Sequence, residues 1–295
     1  MKGIILAGGN GTRLYPITQS TSKCLLPIYD KPMIYYPLSV LMMAGIRELL
    51  IITTPQDQSA YKRLLGNGNQ LGININYAIE PYPRGIAAAF MIAEQFIGNN
   101  TVSLVLGDNL LHGEGLADIL QQATQLQEGA LVFGYYVDQP ERYGVIKFGN
   151  QQEVVDIIEK PKNPPSNYAV TGIYFYDNSV VAKAKQLQPS ARGELEITDI
   201  NKLYLQEKKL QVTCLGRGTA WLDTGQPDAL REASDFIAVI EHRQGLKIGC
   251  IEEIAFKKGY IHLDQLKALA LPLQQTAYGD YLLRVATEKN NYADN

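Results

Sequence analysis

Three glycines within four positions, then a threonine and an arginine, give Leu6-Ala7-Gly8-Gly9-Asn10-Gly11-Thr12-Arg13-Leu14 the clearest chemical meaning in the chain. The segment follows the apolar run Gly3–Leu6 directly. Glycines at the carboxyl end of a buried first strand let the backbone approach a ligand and aim its N–H groups at phosphate oxygens. The loop is neither of the two commonest phosphate binders. A Walker A loop needs Gly-Lys-Ser/Thr, and a dinucleotide fingerprint needs a third glycine where Leu14 stands. Arg13 ends the loop, and its guanidinium offers forked donors to triphosphate oxygens. Downstream, Ser22-Lys23-Cys24-Leu25-Leu26-Pro27 carries one lysine in an otherwise uncharged stretch. Lys23 beside Arg13 would add a second cation over an α-phosphate under attack.

Two acids complete this set. Asp108 follows the apolar run Val102–Leu106, and Asp223 sits in Trp221-Leu222-Asp223-Thr224-Gly225. Carboxylates from distant segments can share one Mg²⁺, which prefers oxygen ligands and brings substrate phosphates with it. Glu159-Lys160-Pro161 closes another apolar run and reads, on its residues alone, as an ordinary exposed acid–base pair. Trp221, the one tryptophan, is either core filler or the wall of a pocket.

The elements that must position these groups alternate in the first half. Strands are expected at Gly3–Leu6, Leu49–Thr53, Ile73–Ile79, Val102–Leu106 and Ala130–Val137. Helices are expected from Pro32 to Gly45 and over Asp57–Leu65, Ile86–Phe96 and Leu116–Leu126. That alternation implies right-handed crossovers and an α/β fold with a mainly parallel sheet covered on both faces. From about residue 143 the strands Val145–Phe148, Val154–Glu159 and Val170–Tyr176 follow one another without long helices, as an inserted antiparallel portion would. A helix from Pro227 to about His242 precedes a helical ending, and 290–295 reads as a frayed tail. The division expected is a core over 1–240, with a first half to about 142 and an insertion within 143–225, then a helical segment over 241–295.

The 295 residues are 46% hydrophobic and 19% charged, with a net charge of −3. No basic block interleaved with aromatics is present, which argues against nucleic acid as a partner. No apolar stretch approaches ~18 residues, so no membrane span is expected and a cytoplasmic protein is read. Cys24, Cys214 and Cys250 are odd in number and scattered, hence reduced; His112, His242 and His262 make no metal spacing.

Gly8-Gly9-Asn10-Gly11-Thr12-Arg13-Leu14 with Lys23-Cys24-Leu25-Leu26-Pro27 resembles the signature of the sugar-nucleotide pyrophosphorylases, the glucose-1-phosphate thymidylyltransferases above all. The likeness continues through Gly107-Asp108-Asn109, Glu159-Lys160-Pro161, Gly193-Glu194-Leu195-Glu196-Ile197-Thr198-Asp199 and Trp221-Leu222-Asp223-Thr224-Gly225. It implies a Rossmann-like mixed sheet with a helical C-terminal portion, a homotetramer, and transfer from dTTP to glucose 1-phosphate with Mg²⁺ held by Asp108 and Asp223. Such an activity belongs to nucleotide-sugar supply, as for dTDP-rhamnose and surface polysaccharide. Nucleotide contacts are implied for Leu6, Gly8, Gly9, Gly11, Thr12, Arg13, Glu80, Pro83, Gly85 and Asp108. Sugar and sugar-phosphate contacts are implied for Asn109, Gly144, Glu159, Lys160, Val170, Arg192 and Trp221, with Arg13, Lys23 and Asp108 as the catalytic charges. A second, inhibitory nucleotide site is implied near Arg217, Arg243 and Gly249–Lys257.

One segment departs from the family pattern. Where the family reads Gln-Pro-x-Pro-x-Gly-Leu-Ala-Gln-Ala at the base-binding loop, this chain has Glu80-Pro81-Tyr82-Pro83-Arg84-Gly85-Ile86-Ala87-Ala88-Ala89. An ionised glutamate only accepts hydrogen bonds, so it cannot donate to a pyrimidine carbonyl. That leaves open a different base (UTP), a modified hexose 1-phosphate, or a silent paralogue that binds a nucleotide sugar. A Rossmann oxidoreductase is disfavoured by Leu14 and by Thr53-Thr54-Pro55, where an acid would follow the second strand.

Overall fold

The computed structural model describes residues 1–9 and 11–288; Asn10 of the glycine loop and the expected frayed tail lie outside the described residues. Four strands run parallel: β1 (Lys2–Leu6), β2 (Glu48–Thr53), β3 (Asn74–Ile79) and β4 (Val102–Leu106), in the spatial order β3-β2-β1-β4. β1, β2 and β4 are near-continuous apolar runs because both faces are covered. Ile5, Ile51 and Val105 pack on one side, with the helix Tyr35–Met43. Ile4, Leu50, Ile52 and Leu104 pack on the other, against the Ala87–Ala89 and Phe90 cluster. The strand order reverses between β1 and β4, which opens the crevice where open α/β sheets bind ligands.

Seven further strands follow: β5 (Asn109–Gly113), β6 (Ala130–Tyr136), β7 (Gly144–Phe148), β8 (Val154–Glu159), β9 (Tyr168–Tyr176), β10 (Leu210–Cys214) and β11 (Thr219–Asp223). The far end of β9 runs antiparallel to β4, while its near end meets β7, which carries β8 on its other side. These strands pair antiparallel, as expected, and lie beside the parallel strands. β6 and β10 complete the large sheet. β5 and β11 form a separate two-stranded ribbon that no periodicity signalled.

Two expected helices are altered. Pro32 does not open a helix: Lys31–Pro32 pairs with Pro27–Ile28 in a short hairpin. The amides of Met33 and Ile34 donate to Leu26 and Cys24, so the helical run starts only at Tyr35. The stretch Ile86–Phe96 divides into Ala88–Ile92 and Glu94–Ile97, because Ala93 leaves helical geometry at φ −87° and ψ 3°. The C-terminal helices Ile251–Lys257, Leu263–Ala270 and Ala277–Thr287 pack on one another, and Tyr260 Oη donates to Met42 O at 3.0 Å beside the first long helix. No helix among the described residues is long and apolar enough to cross a membrane.

Candidate active site

The glycine loop leaves β1 and Gly107-Asp108 leaves β4, so both reach the same edge of the sheet. Gly107 N donates to Leu6 O at 2.9 Å, which locks the two strand ends together. Asp108 forms an ion pair with Lys23. Burial opposes both charges, yet their mutual attraction wins: the Lys23 pKa is held above its ordinary value and the Asp108 pKa below. Cys24, next to Lys23, is buried, and burial pushes its thiol up to about 12, so it is a packing residue rather than a nucleophile.

Asp223 is the last residue of β11 and stands opposite Asn109, the first residue of β5. Thr224 fixes the junction, its N and Oγ1 both donating to Asp108 O, at 3.1 and 2.8 Å. A methyl group built on Gly225 would lie 3.2 Å from Asp223 Oδ1 and 3.9 Å from both Asp108 Oδ2 and Arg13 Nη1. The two carboxylates and the exposed guanidinium therefore surround one point. Burial, and then the neighbouring Asp108 charge, push the Asp223 carboxyl upward. A close carboxylate pair of this kind is what a divalent cation relieves, and among the described residues no third His, Cys, Asp or Glu joins them. Two protein oxygens suit Mg²⁺, which takes its remaining ligands from water and substrate phosphates.

Beyond the carboxylates a cavity of about 210 Å³ runs toward the insertion. Its walls include Arg13, Asp108, Asn109, Gly144, Glu159, Lys160, Val170, Trp221 and Asp223, nine of the residues expected from the sequence. Asn109 is held in one orientation: Oδ1 accepts from Trp221 Nε1 at 2.6 Å and Gly172 N at 3.1 Å, while Nδ2 donates to Asp108 Oδ1 at 3.0 Å. Only glycine fits at 172, since a Cβ there would meet Asn109 Oδ1 at 2.4 Å. Trp221 is thus both core and wall, nearly buried and edge-on to Tyr135. Glu159 Oε2 accepts from Thr198 Oγ1 at 2.5 Å. Lys160 has φ 42°, a left-handed conformation that for a lysine costs roughly 1–2 kcal/mol, and its N donates to Tyr143 O at 2.9 Å.

Arg192 is placed differently from the other expected contacts. Its guanidinium reaches Glu196 at 2.6 Å, Glu159 at 3.0 Å and Glu194 at 3.4 Å, and it is not part of the cavity wall. The wall instead includes Arg142, from the turn Pro140–Arg142, which sequence reasoning missed. Tyr143, Thr198 and Asn201 were missed as well. Asn201 is fully buried, and its Nδ2 has no hydrogen-bond partner.

The loop from Glu80 to Ala87 lies beside the glycine loop that follows β1. Gly85 has φ 98°, and a Cβ there would strike Leu195 O at 2.5 Å. Leu195 N donates to Arg84 O at 2.7 Å and Ala87 N to Leu195 O at 3.2 Å, so this loop and the Gly193–Thr198 segment form one unit. Leu6 is the last residue of β1, Gly8, Gly9, Gly11 and Thr12 lie along the segment after it, and Pro83 sits in the loop from Glu80 to Ala87. Arg217 and Arg243 are exposed; Glu252 and Glu253 of the helix Ile251–Lys257 are buried.

The chain and its fold are similar to those of known proteins. The model of the nucleotidyl transferase family matches residues 2–239. The chain belongs to the nucleotidyl transferase family. Members of that family generally use a divalent metal, in keeping with the Asp108–Asp223 pair. The chain is 56% identical to the glucose-1-phosphate thymidylyltransferase of Neisseria meningitidis serogroup A, over 97% of this chain and 99% of that one. It is 53% identical to the enzyme of that name from Mycobacterium tuberculosis, with the same coverage. Among solved structures, a Bacillus anthracis protein provisionally assigned as a glucose-1-phosphate thymidylyltransferase, in complex with sucrose, matches with a TM-score of 0.74 and 42% identity. That match covers 80% of this chain and 94% of the other. A UDP-glucose pyrophosphorylase complexed with UDP-glucose matches at 0.69 and 28%, covering 82% and 99%.

Proposed function

We propose that the chain transfers a thymidylyl group from dTTP to glucose 1-phosphate, giving dTDP-glucose and pyrophosphate. The observation that carries this reading is the convergence of Arg13, Asp108 and Asp223 at the mouth of a cavity whose inner walls are Asn109, Gly144, Glu159, Val170 and Trp221. A triphosphate on the loop after β1 places its α-phosphorus at that mouth, and a hexose fits between Glu159 and Trp221. An oxygen of the sugar phosphate attacks the α-phosphorus in line, the P–O bond to the β-phosphate breaks, and pyrophosphate leaves with that electron pair. The nucleophile is already an anion, so no general base is needed; the work is alignment and charge neutralisation.

Arg13 and Lys23 hold the triphosphate oxygens as charge shifts toward the leaving group. Asp108 and Asp223 would hold Mg²⁺, which when bound neutralises phosphate charge and favours the in-line geometry. Lys160 and Arg142 bring cations to the sugar phosphate, while Arg192 braces Glu159 and Glu196. Asn109 and Glu159 meet sugar hydroxyls. We read the assembly as a cytoplasmic homotetramer, on the family resemblance. The test is pyrophosphate release from dTTP and glucose 1-phosphate with Mg²⁺, against UTP, CTP, ATP and GTP. Preference for dTTP, abolished by a chelator and restored by Mg²⁺, supports the reading; preference for another nucleotide overturns it.

A further inference from the structure

Glu80 directly follows β3, and its side chain turns back beside the glycine loop after β1. Its Oε2 lies 3.1 Å from where a Cβ on Gly8 would be, and Oε1 accepts one long hydrogen bond, 3.3 Å, from Arg84 N. The residue is 6% exposed. Among the described residues it forms no salt bridge, and the nearest cation acting on it is the exposed Arg84 of the same loop. A carboxylate so placed has lost water and gained one weak donor. It also sits beside the loop that receives a triphosphate, whose negative charge opposes its own.

With phosphates at the β1–β4 switch point, the rest of a nucleotide extends over the ends of β2 and β3, where Glu80 stands. Thymine presents a carbonyl beside its N3–H there. An ionised carboxylate meets that edge with acceptors alone and faces the carbonyl lone pair unfavourably. A neutral carboxylic acid offers one O–H and one C=O side by side, which complements the edge. We propose that Glu80 meets the pyrimidine as a neutral acid, its O–H donating to a ring carbonyl and its C=O accepting from N3–H, and so fixes the base this chain takes. The inference rests on the proposed dTTP reaction. Burial already pushes the Glu80 carboxyl upward, with Arg84 and its amide opposing, and the bound triphosphate adds in the same direction as burial.

The experiment compares wild type with Glu80→Gln, whose carboxamide offers the same donor–acceptor pair at every pH. For wild type, kcat/KM for dTTP is expected to fall about tenfold per pH unit on the alkaline side of the Glu80 titration. The Gln variant is expected to stay flat over that range, so that the two profiles diverge as pH rises. Calorimetry of dTTP binding in two buffers of different ionisation enthalpy is expected to show more protons taken up by wild type than by Glu80→Gln. Subtraction cancels the nucleotide's own phosphate titration. Superimposable pH profiles, equal proton uptake, or a Gln variant inactive at every pH beside an active wild type would each overturn the proposal. If neither protein turns over dTTP, the proposed function fails instead, and the difference in proton uptake still decides the role of Glu80.

Discussion

Asp223 faces Asn109 across the β5–β11 ribbon, and that pairing, with Thr224 bonded to Asp108 O, sets it beside Asp108. The ribbon therefore builds the two-carboxylate end of the site, and Asn109 is its pivot, tied to Asp108, Trp221 and Gly172 at once.

Replacing Asp223 by Asn separates stability from function. The Asp223 carboxyl is raised first by burial and then by Asp108. A raised acid is a liability above the ordinary Asp range, because its ionised form is disfavoured in the fold; that liability disappears as pH falls and the group protonates. Asp223→Asn should therefore raise Tm by about 2–4 °C per ~1 kcal/mol relieved, measured at neutral pH in chelator. The gain should shrink in acid, and turnover should drop by about a hundredfold or more. A lower Tm in the variant would mean that burial and the Asp108 charge together do not disfavour the ionised carboxyl in the fold.

Arg13 is exposed and, among the described residues, its side chain forms no salt bridge, so Arg13→Ala should leave Tm unchanged. Turnover should fall by about 10²–10³, the usual effect of removing a donor aimed at developing phosphate charge. Steady-state kinetics beside a melting curve check this, and near-normal turnover would remove Arg13 from the mechanism.

Trp221→Phe keeps an aromatic wall and deletes one donor. Asn109 Oδ1 then loses its shorter hydrogen bond, which for a buried group costs about 1–3 kcal/mol. Turnover should fall more than glucose 1-phosphate affinity, because Asn109 also orients Asp108. An effect on KM alone would reduce Trp221 to a wall.

How these parts were readable differs by cause. The glycine loop, Arg13 and Asp108 follow directly from strand ends, and a parallel sheet puts every strand end on one edge. The β5–β11 pairing was not readable, since both segments are short and their register depends on a partner about a hundred residues away. Pro32 misled because a proline opens a helix only when the following amides are free, and here the hairpin takes them. Arg142 gave no signal, as a lone arginine in a turn looks like any solvated side chain. The pairing of Arg192 with Glu196 gave no signal either, because the chain from Arg192 to Glu196 is not helical.

Arg142 and Arg192 provide the last test, because the structure assigns them opposite roles. Arg142 lines the cavity, so Arg142→Ala should raise KM for glucose 1-phosphate by about tenfold, or ~1.4 kcal/mol, with Tm unchanged. Arg142→Lys should recover part of that. Arg192 spans three carboxylates, of which Glu196 is buried. Arg192→Ala leaves that negative charge unanswered, so its first effect should be on stability, about 1 kcal/mol after allowing for the guanidinium's exposure to solvent. If Arg192→Ala instead spares Tm and raises KM as Arg142→Ala does, Arg192 swings off its carboxylates when the sugar phosphate arrives, and both arginines grip the nucleophile.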